Sequence, residues 1–202
     1  MLFFQKYKIQ FEKYKILYKK NRKLFNNIFR FIFALIFGLI LSVLITEIDP
    51  FKSYLKTTSI PDILTKSLVY TSNFLLNLFG FDTYAHNNFL QIRGTNGIRF
   101  VYSCIGIRHM TFFAGFIISY YGKLLNKIWY IIVGFIILIF INSFRASIIC
   151  ITQLYYPEYF QFVHYYFTRI IMYVCIFVLW MIWIRFFATK KRLPETDSLK
   201  TE

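Results

Sequence analysis

Four apolar runs limit what this chain can fold into. They cover residues 31–45, 105–121, 128–141 with a continuation through 151, and 165–187. With its apolar flanks, each is long enough to cross a hydrocarbon core about 30 Å thick as a helix. A soluble chain of 202 residues rarely carries 57% hydrophobic and 22% aromatic side chains, so the composition points the same way. A formal charge of +15 would indicate nucleic acid in a soluble protein. Here the lysines and arginines border the apolar runs, where they fix orientation and meet anionic lipid, and no nucleic-acid partner is expected.

Residues 1–30 hold nine basic residues and one acid, Glu12. Phe4, Tyr7, Phe11, Tyr14 and Tyr18 recur at helical spacing, which predicts an amphipathic helix on the cytoplasmic leaflet. Residues 31–45 then read as an uncleaved signal anchor, with no small-residue cleavage site after them. Residues 49–62 carry Pro50 and Pro61 and read as a loop. Residues 63–79 are apolar but interrupted by Lys66, Ser72, Asn73 and Asn77, which suits a helix that packs without crossing. Two alternating runs, 88–93 and 98–102, flank Thr95-Asn96-Gly97 and predict an extracytoplasmic β-hairpin.

The distribution of positive charge sets the topology. With the N-terminus inside, four spans leave Lys123, Lys127 and the Lys190-Lys191-Arg192 cluster inside as well. A fifth crossing at 63–79 would put both clusters outside. The expected fold is therefore an all-α integral membrane protein with about four transmembrane helices. The interfacial N-terminal helix, the non-crossing outer helix and the short hairpin complete it. Three segments follow: a basic segment 1–30, a membrane domain 31–188 and a cytoplasmic tail 189–202. The expected location is the inner (cytoplasmic) membrane, multi-pass, with both termini cytoplasmic.

The same count brings Cys104, Arg145 and His164 to the outer face. Cys104 lies where the hairpin gives way to the second span. The positive end of a helix and the cation of Arg108, four residues on, both favour a thiolate there. Gly106 leaves room for a substrate backbone, and free N–H groups of the first turn could receive an oxyanion. Arg145 has apolar residues on both sides, about 25 Å along a helix from Ile128. A charge at that depth costs a few kcal/mol and is a functional candidate. Asn142 lies three residues earlier on the same face. His164 opens the last run and can accept a proton or pair with a thiolate. His109 is about 140° round the helix from Cys104 and is badly placed to reach it.

Each residue also has a plain explanation. A thiol can be an inert small side chain, an arginine can snorkel to headgroups, and a histidine can sit at an interface among tyrosines. Cys150 and Cys175 fit the inert case better than Cys104. The three cysteines show no paired spacing and no metal-ligand pattern, so no metal or other cofactor is expected.

A Cys-x-Gly element after an outer hairpin, then Asn-x-x-Arg, then a His before the last span, resembles the exosortase/archaeosortase family. The elements here are Cys104 with Gly106, Asn142 with Arg145, and His164, within residues 88–187. The resemblance implies a transpeptidase-like cysteine enzyme acting on membrane-anchored proteins. Their C-terminal sorting tail would hold a short motif, a transmembrane helix and a basic cluster. Cleavage would fall just outside the membrane, and the new carboxyl end would pass to an anchor or to water. On that reading Cys104 attacks through a thioester, and His164 holds it ionised or shuttles the proton. Arg145 stabilises the oxyanion or positions the substrate, Asn142 orients Arg145, and Arg108 and Gly106 assist. A non-enzymatic membrane scaffold is the main rival. An enzyme for lipid-linked donors, with Arg93, Arg99 and Arg108 on phosphate, ranks below it, because the outer carboxylates Asp49, Asp62, Asp82 and Glu158 are scattered.

Overall fold

Helices follow the apolar runs but extend beyond them. The computed structural model describes residues 2–188, with the side chains of Arg22 and of residues 25–188. Helix α1 (Leu2–Glu47) passes unbroken from the basic segment through the first apolar run. Its 46 residues amount to about 69 Å, over twice the hydrocarbon thickness. The aromatic stripe from Phe4 to Tyr18 and the tail 189–202, with its basic cluster, lie outside the described side chains and residues.

Among the described residues, three helices are long and apolar enough to cross a membrane: the Phe25–Glu47 part of α1, helix α5 (Leu124–Tyr155) and helix α6 (Pro157–Phe187). The protein is an all-α membrane protein. The second apolar run forms a shorter helix, α4 (Ile107–Ser119). At 13 residues it spans about 20 Å. Helix α6 is α-helical over Thr168–Ile182, with π-helical turns at Val163–Phe167 and Trp183–Phe187.

The stretch 49–62 is not all loop: it holds helix α2 (Phe51–Thr57), and helix α3 (Ile60–Leu78) starts within it. Phe51, Tyr54 and Leu55 give α2 a helical spacing over too few residues to stand out. Helix α3 is not among the spans. The hairpin gains a strand. Strands β1 (Thr83–His86), β2 (Phe89–Ile92) and β3 (Ile98–Arg99) form one antiparallel sheet in that order. His86 pairs with Phe89 across a two-residue turn, and Leu90 pairs with Ile98. Asn87 takes the positive φ that such a turn needs.

Two apolar cores share helix α5. In the bundle core, Phe113, Phe116 and Ile117 of α4 bury against Leu138 of α5 and Met172, Ile176 and Trp183 of α6. The ring of Trp180 stacks on Phe116 at 4.2 Å. Outward faces carry Ile132, Ile136, Ile170 and Val174, each at least half exposed, as lipid contact requires. In the outer core, Leu68 and Leu76 of α3 pack with Leu90, Ile92, Ile105, Ala146 and Cys150. Helices α1 and α4 touch at Gly38 and Gly115. A Cβ on Gly115 would stand 2.8 Å from the Cα of Gly38, so backbones approach where any side chain would part them. Ser42 Oγ extends that contact, donating to the Arg108 carbonyl oxygen at 3.0 Å.

Candidate active site

The seam between the two cores is polar. On α5, Asn142, Ser143, Arg145 and Ser147 are all buried. Ser72 Oγ of α3 donates to the Ser143 carbonyl oxygen (3.1 Å), and Ser147 Oγ donates to the Ser72 carbonyl oxygen (3.4 Å). These bonds satisfy polar groups that the apolar surroundings would otherwise penalise.

Cys104 lies in the segment between β3 and α4. Its N–H donates to the Val101 carbonyl oxygen at 2.8 Å, closing a turn. Gly106 follows with φ +84°, a left-handed conformation that glycine adopts without strain, and α4 begins at the next residue. Asn142 pins the turn from the side. Its Nδ2 donates to the Cys104 carbonyl oxygen at 3.0 Å, while its Oδ1 accepts from Arg145 Nη1 at 3.3 Å. One buried amide thus links the cysteine segment to the arginine. The guanidinium of Arg145 lies close enough to Cys104 and His164 to interact with both electrostatically.

His164 occupies the π-helical turn of α6. Its ring stacks on Phe160 at 5.8 Å and 2° and meets Tyr165 edge-on. Its carbonyl oxygen accepts from Thr168 Oγ1 at 2.9 Å. A π-helical turn displaces one residue from the regular ladder, a device common at functional sites. Among the described residues, His164 Nδ1 and Arg145 Nε are buried without a hydrogen-bond partner. Both can donate, and both flank the same cavity.

That cavity measures about 280 Å³. Cys104, Asn142, Arg145 and His164 line it, with Phe100 and Phe160 among its apolar walls. The structure thus brings together the cysteine, the arginine and the histidine from three separate elements. Gly106 stays at the neck of α4, its Hα side facing Asn142. Arg108 goes elsewhere: its Nη1 stands 3.4 Å from Glu47 Oε1 of α1. Ile107, Arg108 and His109 line a different cavity, so the first turn of α4 does not face the cysteine's pocket. Arg145 is the buried donor that does. Arg93 pairs with Asp82 at 3.0 Å, away from both. Arg99 joins the wall of the cysteine's cavity.

The sequence alone does not single out Phe160, the ring that stacks on His164. Its position four residues before the histidine was the available signal. Among the described residues, no group of three or more His, Cys, Asp or Glu is placed to hold a metal ion.

A thiol, a buried guanidinium and an imidazole around one small cavity can support acyl transfer through a thioester. The family model described as transmembrane exosortase (Exosortase_EpsH) matches residues 24–181, from the first span into the last. No curated protein and no solved structure matches the chain.

Proposed function

The chain belongs to the transmembrane exosortase family, and on that premise we propose that it is a membrane cysteine transpeptidase or protease. Its substrates are membrane-anchored proteins whose C-terminal sorting tail combines a motif, a transmembrane helix and a basic cluster. The observation that carries the reading is the shared cavity of Cys104, Arg145 and His164 at the seam between membrane bundle and outer core.

The reaction runs in two halves. The Cys104 thiolate attacks the scissile carbonyl carbon, and the carbonyl oxygen takes up the negative charge beside the Arg145 guanidinium. As the tetrahedral adduct collapses, the C–N bond breaks and His164 delivers a proton to the leaving amine. The thioester remains. An amine, a hydroxyl or water then attacks it, His164 removes that nucleophile's proton, and Cys104 leaves as thiolate. Asn142 holds cysteine segment and arginine in register throughout. A buried site at this depth lets the substrate's helix lie beside the enzyme's own spans while its motif reaches Cys104.

In this reading the short helix α4, which runs from beside Glu47 to beside Arg30, counts as a fourth crossing, so both termini are cytoplasmic in the inner membrane and the cavity faces outside. The basic segment 1–30 meets anionic lipid on the inner leaflet. The test compares Cys104→Ala with the parent protein by intact mass of tail-bearing substrates. The expected result is an uncleaved tail in a variant that still inserts. Normal processing would remove the enzyme assignment and leave a scaffold role. A membrane-impermeant thiol reagent should label Cys104 in intact cells, and labelling only from the inner face would overturn the orientation.

A further inference from the structure

A second, larger cavity of about 700 Å³ lies on the far side of the segment that carries Cys104. It opens where the end of α1, helix α2, the start of α4 and the Arg169–Tyr173 stretch of α6 meet. Among the described residues, Lys52, Lys56, Arg108 and Arg169 line it, against a single carboxylate, Glu47. Glu47 is shared: it stands 3.8 Å from Lys52 Nζ and 3.4 Å from Arg108 Nη1. One carboxylate therefore leaves excess positive charge. Lys56 stands over the ring of Tyr102 at 5.4 Å. Among the described residues, Tyr102 OH and His109 Nδ1 are buried without hydrogen-bond partners, and both residues line this cavity. Burial, and then the charge of Glu47, raise the Tyr102 pKa, so the phenol remains a neutral donor at physiological pH.

We propose that this cavity binds the phosphate of a membrane phospholipid. Several cations and uncharged donors around one space suit an oxyanion, which takes charge-assisted bonds from lysine and arginine. Location favours a lipid over a soluble anion. The cavity lies at the end of the apolar part of α1 and against Arg169 and Tyr173 within the apolar part of α6. Apolar side chains stand exposed beside it, Leu44 on α1, Ile48 just after its end, and Ile170 and Val174 on α6. A headgroup in the cavity would leave its acyl chains along those faces. The leaflet concerned rests on the orientation proposed above; binding itself depends on neither that orientation nor the cysteine chemistry.

The full-length protein in neutral detergent is offered phosphatidic acid, with diacylglycerol as the phosphate-free control. Retained lipid is read by native mass spectrometry. The expected result is selective retention of phosphatidic acid, weakened about tenfold or more by Lys52→Gln/Lys56→Gln and by Arg169→Gln. Circular dichroism verifies folding of each variant, and the exposed helix α2 tolerates the lysine pair even if Arg169→Gln does not fold. Cys104→Ala should retain the lipid as the parent does, which separates this site from the proposed catalysis. Retention equal in parent and lysine variant overturns the proposal. So does loss caused only by Lys19→Gln/Lys20→Gln in the N-terminal segment. Displacement by inorganic phosphate or by an acidic peptide at the same concentration as phosphatidic acid would reassign the site to a free anion or a protein side chain.

Discussion

Replacing Gly106 with alanine tests how the cysteine segment is held. The residue sits at φ +84° and ψ 6°. An L side chain there costs roughly 1–2 kcal/mol, offset in part by about 0.4–1 kcal/mol from a stiffer unfolded chain. The net backbone penalty is about 1 kcal/mol. A second effect is local. The new Cβ would stand 3.1 Å from Asn142 Nδ2 and 3.7 Å from Asn142 Cγ. Asn142 must retreat by a few tenths of an ångström, which lengthens its 3.0 Å bond to the Cys104 carbonyl oxygen. Losing that bond costs about 1 kcal/mol, and the linked bond to Arg145 weakens with it. If the arginine acts on the transition state, each 1.36 kcal/mol is tenfold in rate. The prediction is a modest fall in melting temperature with tail cleavage reduced about tenfold or more. A double-mutant cycle isolates the contact. In an Asn142→Ala background the Cβ meets no amide, so Gly106→Ala should then cost only its backbone term. Additive effects on cleavage, or full activity in Gly106→Ala, would refute the argument that this contact positions Cys104.

Other substitutions probe separate parts of the design. Asn142→Asp keeps an acceptor for Arg145 but faces the Cys104 carbonyl oxygen with a second acceptor, so cleavage should fall sharply while insertion persists; activity near the parent level would contradict the bridging role. Phe160→Ala removes the ring stacked on His164, and should lower the rate of tail cleavage about tenfold by freeing the imidazole, with little change in helicity. Gly115→Leu forces apart α1 and α4, and should cost about 1–3 kcal/mol or more in resistance to detergent or heat; a variant as resistant as the parent would mean that the close crossing is unimportant. Cys150→Ser, in the outer core, should weaken folding without touching the chemistry, seen as lower expression with cleavage per folded molecule unchanged.

The length of the apolar runs makes three of the spans legible, the second run forming the shorter α4, and the Asn-Gly turn marks the β2–β3 part of the sheet. Hydropathy, flanking charge and helical rise bring Cys104, Arg145 and His164 to one depth in the sequence, and the three line one cavity in the structure. Other features arise only in the folded chain. Strand β1 is four residues long and exists through its pairing with β2, a relation that local sequence does not encode. Helix α2 has seven residues, too few for periodicity to register. Arg108 shows a limit of spacing rules. Four residues after Cys104, it would share a face with the cysteine if both lay on one helix. Cys104 lies in a turn and the helix starts only after Gly106, so the rule has no purchase and Arg108 pairs with Glu47. The Asn142 bridge was half legible: its relation to Arg145 follows from helical spacing, but its bond to Cys104 crosses 38 residues of chain.

Helix α5 belongs to both cores, and that fixes its phase. Its first half packs in the bundle, its second half carries the outer core, and Asn142 and Arg145 lie where the two meet. One inserted residue between Leu138 and Asn142 would turn everything beyond it by about 100° and carry Arg145 out of the cavity. Restoring the angle takes about seven residues, or two turns, and those lengthen the helix by about 10 Å, a third of the hydrocarbon thickness. Angle and depth cannot both be recovered by a change in length. A protein built this way can adjust to a thicker or thinner bilayer by tilting, or by changes at the helix ends, but its central helix must keep its residue count.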